Sequence, residues 1–170
     1  MKTGVLDDAV ARLDSVQLTV LVLGPGRGAD GYHKRRQIRR ALNRIPGVVA
    51  RFPEDRDLIE LVRRKMGVDE KDVVALELAQ GMVSDLILAL DIAQGVNQEV
   101  AMFSTYSQLR GKICALVEER HRDTPSSFPG HVRRSVRQEF FTPAEFAECS
   151  LASRRCPAIA TSEKVHRALR

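Results

Sequence analysis

The chain has no tryptophan, two tyrosines and six phenylalanines, so aromatic residues make up only 5% of its 170 positions. So few rings offer no stacking platform for sequence-tolerant single-strand binding, and nucleic acid is disfavoured as a partner. Cysteine is scarce as well. Cys114, Cys149 and Cys156 are odd in number and lack CxxC spacing, which argues against a disulfide framework or a zinc site. Reduced thiols in a cytoplasmic protein are the expectation. The histidines, His33, His121, His131 and His166, are scattered, without the paired spacing that metal ligation needs. No apolar run approaches the roughly 20 residues that span a bilayer. The opening MKTGVLDDAVARLD has acids where a signal peptide would need a basic start and an apolar stretch. A Gly-x-Ser-x-Gly elbow and a GxxxxGK(S/T) phosphate loop are also absent.

What is present is an ordinary globular balance, 44% apolar and 29% charged, at a length that suits one domain with a real core. No internal repeat or low-complexity segment divides it, so residues 1–170 are expected to form a single domain. The net charge of +5, from 27 Lys and Arg against 22 Asp and Glu, is mild. Its placement is more telling. Seven bases (Arg27, Lys34, Arg35, Arg36, Arg39, Arg40 and Arg44) lie within 18 residues that hold one acid, Asp30.

Apolar patterning predicts alternating strands and helices. Residues 17–23, QLTVLVL, form a nearly continuous apolar run closed by Gly24, Pro25 and Gly26, as a strand buried on both faces would. A short helix over 7–13 leads into it. Ile38, Ala41, Leu42 and Ile45 then recur at helical spacing, with the bases on the opposite face. Pro46 and Gly47 end that helix. A second strand is predicted over 48–52, a helix carrying Leu58, Leu61 and Val62, and another over 73–81. The third strand is predicted over 83–90, containing Asp85 and ending on Asp91. A helix over 95–109, a fourth strand over 112–117, a loop over 120–130 and a fifth strand over 138–141 follow. Thr142, Pro143 and Glu145 spell a capping box, and a last helix covers 162–170. Such alternation implies right-handed crossovers and a five-stranded parallel sheet. The expected α/β fold is flavodoxin-like, three-layered and Rossmann-like, with strand order 2-1-3-4-5. Its crevice should lie at the switch point beyond strands 1 and 3. That places residues 24–32 beside residues 91–99.

The first of these loops, GPGRGADGY, contains Gly26, Gly28 and Gly31 in GxGxxG register after a strand and before a helix. Glycines there let backbone N–H groups approach a phosphate. A dinucleotide cofactor site, a glycine turn without a ligand, and a nucleotide's sugar or phosphate over the loop are all open. Arg27, Lys34 and Arg35 nearby favour the last, while Arg39, Arg40 and Arg44 read as solvated charge. In the second loop, Glu99 sits in the first turns of its helix, where the dipole should keep the carboxylate ionised. An ionised carboxylate facing a crevice can attack an anomeric carbon as its leaving group departs. Spacing alone favours a glutamate that merely complements the helix dipole. Cys114 within strand 4 reads as a core thiol.

Four segments then align in order over about 90 residues, roughly half the chain. Leu23-Gly24-Pro25-Gly26 resembles the small-Gly-Pro opening of the nucleoside 2-deoxyribosyltransferases. The stretch ELAQGMVSDLILAL, beginning at Glu77 and including Asp85, resembles their acid-bearing helix, the following Asp and the third strand. GVNQEV at 95–100 is similar to their Gly-x-x-x-Glu segment, and Leu109-Arg110-Gly111-Lys112 to the turn before their fourth strand. TIR domains, which cleave NAD, are a more distant likeness.

The resemblance implies cleavage of an N-glycosidic bond in a nucleoside, nucleotide or NAD, by hydrolysis or transfer. Glu99 would be the nucleophile, and Asp91 or Glu77 would orient the sugar or assist the base. Gly24, Pro25, Gly26, Arg27, Tyr32, Lys34, Asp85, Gly95 and Asn97 would hold the substrate. No cofactor is implied, NAD entering as a substrate. A homo-oligomer is expected, with residues 120–141 available to complete a neighbour's site. Two positions depart from the family. Ala93 stands where the family carries an Asp that engages the leaving base, so either Asp91 substitutes or the substrate differs. Strand 1 offers Leu21 and Leu23 in place of a frequent tyrosine. A nucleotide-sensing or protein-interaction module of the same fold is the alternative.

Overall fold

β-Branched and leucine-rich runs with no charge to solvate build the centre of the molecule. The computed structural model describes residues 3–92, 94–122, 135–148 and 150–170. In chain order the elements are α1 (Thr3–Ser15), β1 (Leu18–Leu23), α2 (Tyr32–Leu42), β2 (Val48–Arg51), α3 (Arg56–Met66) and α4 (Val73–Val83). Then come β3 (Leu86–Asp91), α5 (Gln94–Thr105), α6 (Ser107–Arg110), β4 (Ile113–Glu118), a 3-10 turn at Glu119–His121 and β5 (Arg137–Phe141). The chain closes with α7 (Pro143–Ala147), a π-helical turn at Leu151–Arg155 and α8 (Cys156–Ala168).

The five strands form one parallel sheet in the order β2-β1-β3-β4-β5. This is the expected flavodoxin-like α/β fold. Alternate side chains of each strand face opposite layers. Val20, Val22, Leu88, Leu90 and Leu116 pack toward α2 and α8, together with Ile38, Leu42, Cys156 and Ile159. Leu21, Leu23, Ile87, Ala89 and Ile113 pack on the other side against α3, α4 and α5, through Leu58, Val62, Leu76, Val100 and Phe103. Cys114 is buried, and that burial pushes its thiol up to about 12. It is a core residue. Cys149, His131, Ala93 and most of the expected 120–130 loop lie outside the described residues.

Several boundaries differ from the expectations, each for a local reason. β3 starts at Leu86, so Asp85 precedes the strand instead of lying within it. Ser84 ends α4, its hydroxyl and N–H both donating to Gln80 O. The expected 95–109 helix breaks at Tyr106, whose backbone is extended. Just before the break, the hydroxyls of Ser104 and Thr105 donate to the carbonyls of Ala101 and Met102, competing with the helical ladder. The C-terminal helix begins at Cys156, well before the expected 162. Leu151 and Cys156 are both buried five positions apart, a spacing that a π turn brings to one face and a 3.6 period obscures. The capping box is present as read: Thr142 Oγ1 accepts from Glu145 N–H at 3.1 Å, and Thr142 N–H donates to Glu145 Oε2 at 2.7 Å.

Candidate functional site

At the C-terminal ends of β1 and β3 lies a crevice of about 340 Å³, within the lower range of small-ligand pockets. One wall is Leu23, Gly24, Pro25 and Gly26, continuing β1. Pro53 and Glu54, on the turn after β2, form a second. Gly95, Val96 and Glu99 come from α5, and Arg35 from α2. The two loops that the sequence placed at the switch point therefore do share one crevice.

The glycine-rich loop has demanding geometry at two positions. Gly31 holds φ +86°, and a Cβ there would stand 2.5 Å from Ile92 Cδ1 and 3.2 Å from Pro25 Cγ. Only glycine fits, so the loop closes against the residue after β3. At Gly24 a Cβ would lie 3.0 Å from Arg35 Cδ. Bare backbone at Gly24 is what lets the Arg35 stem pass.

Arg35 is the residue the sequence reading undervalued. Its side chain is 3% exposed, although it belongs to a run of bases. Nε donates to Val22 O at 3.1 Å and Nη1 to Pro25 O at 3.3 Å. Nη1 and Nη2 also grip Glu54 Oε1 and Oε2, at 3.0 and 2.9 Å. The guanidinium carbon sits 4.1 Å from the Phe52 ring centre, with Arg39 at 3.9 Å. The Phe52–Pro53–Glu54 step after β2 is thus what presents Glu54 to Arg35. The turn is anchored by Gln80 Nε2 donating to Pro53 O at 2.8 Å and by Phe52 N–H donating to Asp55 Oδ2 at 2.8 Å.

Glu99 lines the crevice, but the expectation that the helix dipole keeps it ionised is overturned. α5 begins at Gln94, so Glu99 is already in the second turn, past the reach of the dipole. Burial dominates, with the charge of Glu77 adding to it, and the carboxyl is raised from 4.5 to about 7 against a lowering by Arg35 and a further raising by Glu54. Glu77, half-buried on α4, is itself raised by burial. The two carboxyls thus lie in one electrostatic neighbourhood, both raised, with only Glu99 on the crevice wall.

The other proposed contacts divide. Asp91 closes β3 at the crevice end and is buried, but it is outside the walls, as is the half-buried Asn97. Arg27 is exposed beyond the rim. Tyr32 turns toward Phe52, with ring centres 6.4 Å apart, and packs on the α2–α8 side. Lys34 is not at a phosphate position: its ammonium donates to Ala147 O at 2.9 Å and lies 5.2 Å from the Phe146 ring centre. Helical geometry explains this, since adjacent residues on α2 point about 100° apart. Asp85 is the clearest correction. It stands at the N-terminal end of β3, across the sheet from the crevice. There it accepts from Thr19 N–H at 2.7 Å and pairs with Arg167 at 2.6 Å. The Gly111-Lys112 turn has a structural explanation too. Lys112 Nζ donates to Met82 O at 2.9 Å and Ser84 O at 2.8 Å, tying the end of α4 to the start of β4.

Comparison of the chain with protein-family models and with curated proteins gives no match. Among the described residues, no group of His, Cys, Asp and Glu is gathered to hold a metal ion. No helix there is long and apolar enough to cross a membrane.

Proposed function

We propose that this crevice binds a nucleoside, nucleotide or NAD and cleaves its N-glycosidic bond, with Glu99 as the attacking carboxylate. The observation that carries this reading is Glu99 itself, lining one crevice with the Gly24–Pro25–Gly26 backbone at the switch point of a parallel sheet. Ionised Glu99 forms a bond to the anomeric carbon as the carbon–nitrogen bond breaks and its electron pair leaves with the base. Glu77, whose charge acts on Glu99 from outside the crevice walls, can assist the departing base or orient the sugar. Water or a second base then takes the glycosyl group from Glu99, which completes hydrolysis or transfer. Gly24, Pro25, Gly26 and Gly95, which line the crevice, allow a sugar to approach the backbone closely. The resemblance to nucleoside 2-deoxyribosyltransferases supports the same chemistry and adds a cytoplasmic homo-oligomer to the reading.

The test is chromatography of the protein incubated with a panel of nucleosides, nucleotides and NAD, with Glu99→Gln run beside it. Base released by the natural chain and not by the variant is the expected result. If no member of the panel loses its base, the chemistry is wrong, and bound but uncleaved ligand would leave a nucleotide-sensing module.

A further inference from the structure

We propose that Glu54 is an internal stand-in for a ligand phosphate, and that a phosphorylated sugar enters the crevice by displacing it from Arg35. This rests on the crevice being a sugar-nucleotide site, but not on its breaking a bond. Arg35 is built as a receptor. Its guanidinium is oriented by Val22 O and Pro25 O and stacked 4.1 Å from the centre of Phe52. Nη1 and Nη2 remain paired with one oxyanion, the forked arrangement that carboxylate and phosphate share.

The partner is built to leave. Glu54 is 46% exposed where Arg35 is 3% exposed, so its carboxylate can turn out to water at little desolvation cost. Its backbone does not have to move, because Gln80 and Asp55 hold the turn on either side. Of the other bases expected near the loop, Lys34 is directed to Ala147 O and Arg27 is exposed outside the walls. Arg39, read from sequence as solvated charge, pairs with Asp55 at 3.0 Å.

Titration calorimetry in a Glu99→Gln background, which removes turnover, tests the exchange with ribose 5-phosphate, ribose and inorganic phosphate. Removing the competing anion by Glu54→Gln should tighten ribose 5-phosphate about tenfold or more, the scale of one competing charged hydrogen-bond pair. Ribose should be unchanged. A parallel gain for inorganic phosphate also supports the proposal and assigns the gain to the anion alone. Adding Arg35→Lys to Glu54→Gln should abolish the gain; should that double variant not fold, Arg35→Lys alone should weaken ribose 5-phosphate and leave ribose unchanged. Unchanged or weaker ribose 5-phosphate binding in Glu54→Gln overturns the proposal, as does an equal gain for ribose. Phosphate-linked tightening, together with no base released by the natural chain from the nucleoside, nucleotide and NAD panel, would sink the glycosidase reading and leave this site standing.

Discussion

The two ends of the sheet hold buried charge in opposite ways. At the N-terminal end, Asp85 is bracketed by Thr19 N–H and Arg167. Lys112 there satisfies carbonyls of α4 and the turn after it, and Lys164 donates to Pro46 O at 2.7 Å. Each charge has a partner of opposite sign or a carbonyl dipole, and together they staple loops and the C-terminal helix to the strand starts. At the C-terminal end, Glu54, Glu77 and Glu99 share one neighbourhood with a single buried guanidinium, and two of the three carboxyls rise above their ordinary value. Burial holds the Lys112 ammonium below its ordinary value even in the first arrangement, but its charges tie one element to another. In the second, perturbed carboxyls gather in a cleft, a pattern more common at sites of chemistry.

The comparison breaks most sharply on turnover. Glu99→Gln is expected to lower base release by about a thousandfold or more, because losing a nucleophile removes a covalent route. Asp85→Asn, at the other end, should leave turnover within a few fold while lowering the unfolding midpoint. Equal losses of turnover in the two variants would erase the distinction. A second effect falls on stability. Lys112→Met removes the donor from several buried carbonyls and should cost about 2–4 kcal/mol in denaturant unfolding. A loss below about 1 kcal/mol would mean that those carbonyls find water instead.

Sharper still is the pH dependence of Glu99. Its folded value of about 7 lies above the ordinary 4.5, so the native state holds the proton more tightly than the unfolded chain. The stability linked to Glu99 is therefore greatest at low pH, falls as pH rises through the window from 4.5 to about 7, and stays lost above it. Glu99→Gln should raise stability by about 1–3 kcal/mol at pH 8 and change little at pH 4. Paired chemical denaturation at the two pH values checks the sign. No gain at pH 8 would mean that Glu99 is solvated. The smallest effect is expected from Thr142→Ala, which removes an ordinary helix cap near the crevice end of the sheet. It should cost about 1 kcal/mol and leave ribose 5-phosphate affinity alone. A changed affinity would draw α7 into the site.

Much of the scaffold was legible because it depends on local chemistry. The apolar run into Gly24-Pro25-Gly26, the Thr142–Glu145 box and the strand–helix alternation each declare an element over a few residues, and their order leaves few topologies open. That local chemistry brings Gly24, Pro25, Gly26, Gly95 and Glu99 to one crevice. It failed where a side chain's role depends on a distant partner. Lys34 and Arg35 are neighbours in a basic run, yet one meets Ala147 and the other meets Glu54. Asp85 and Asp91 both bracket β3, and the strand carries them to opposite ends of the sheet.

By itself, then, the sequence determined the parallel sheet, its switch point and the loops that flank it, because periodicity and turn residues act between near neighbours. Only the tertiary structure decided which charges are buried, which are paired and how readily Glu99 ionises. A pKa or an ion pair is set by dielectric and by distances across the fold, and Arg35 acquires its partner from a turn 19 residues away through the packing of β2 against β1.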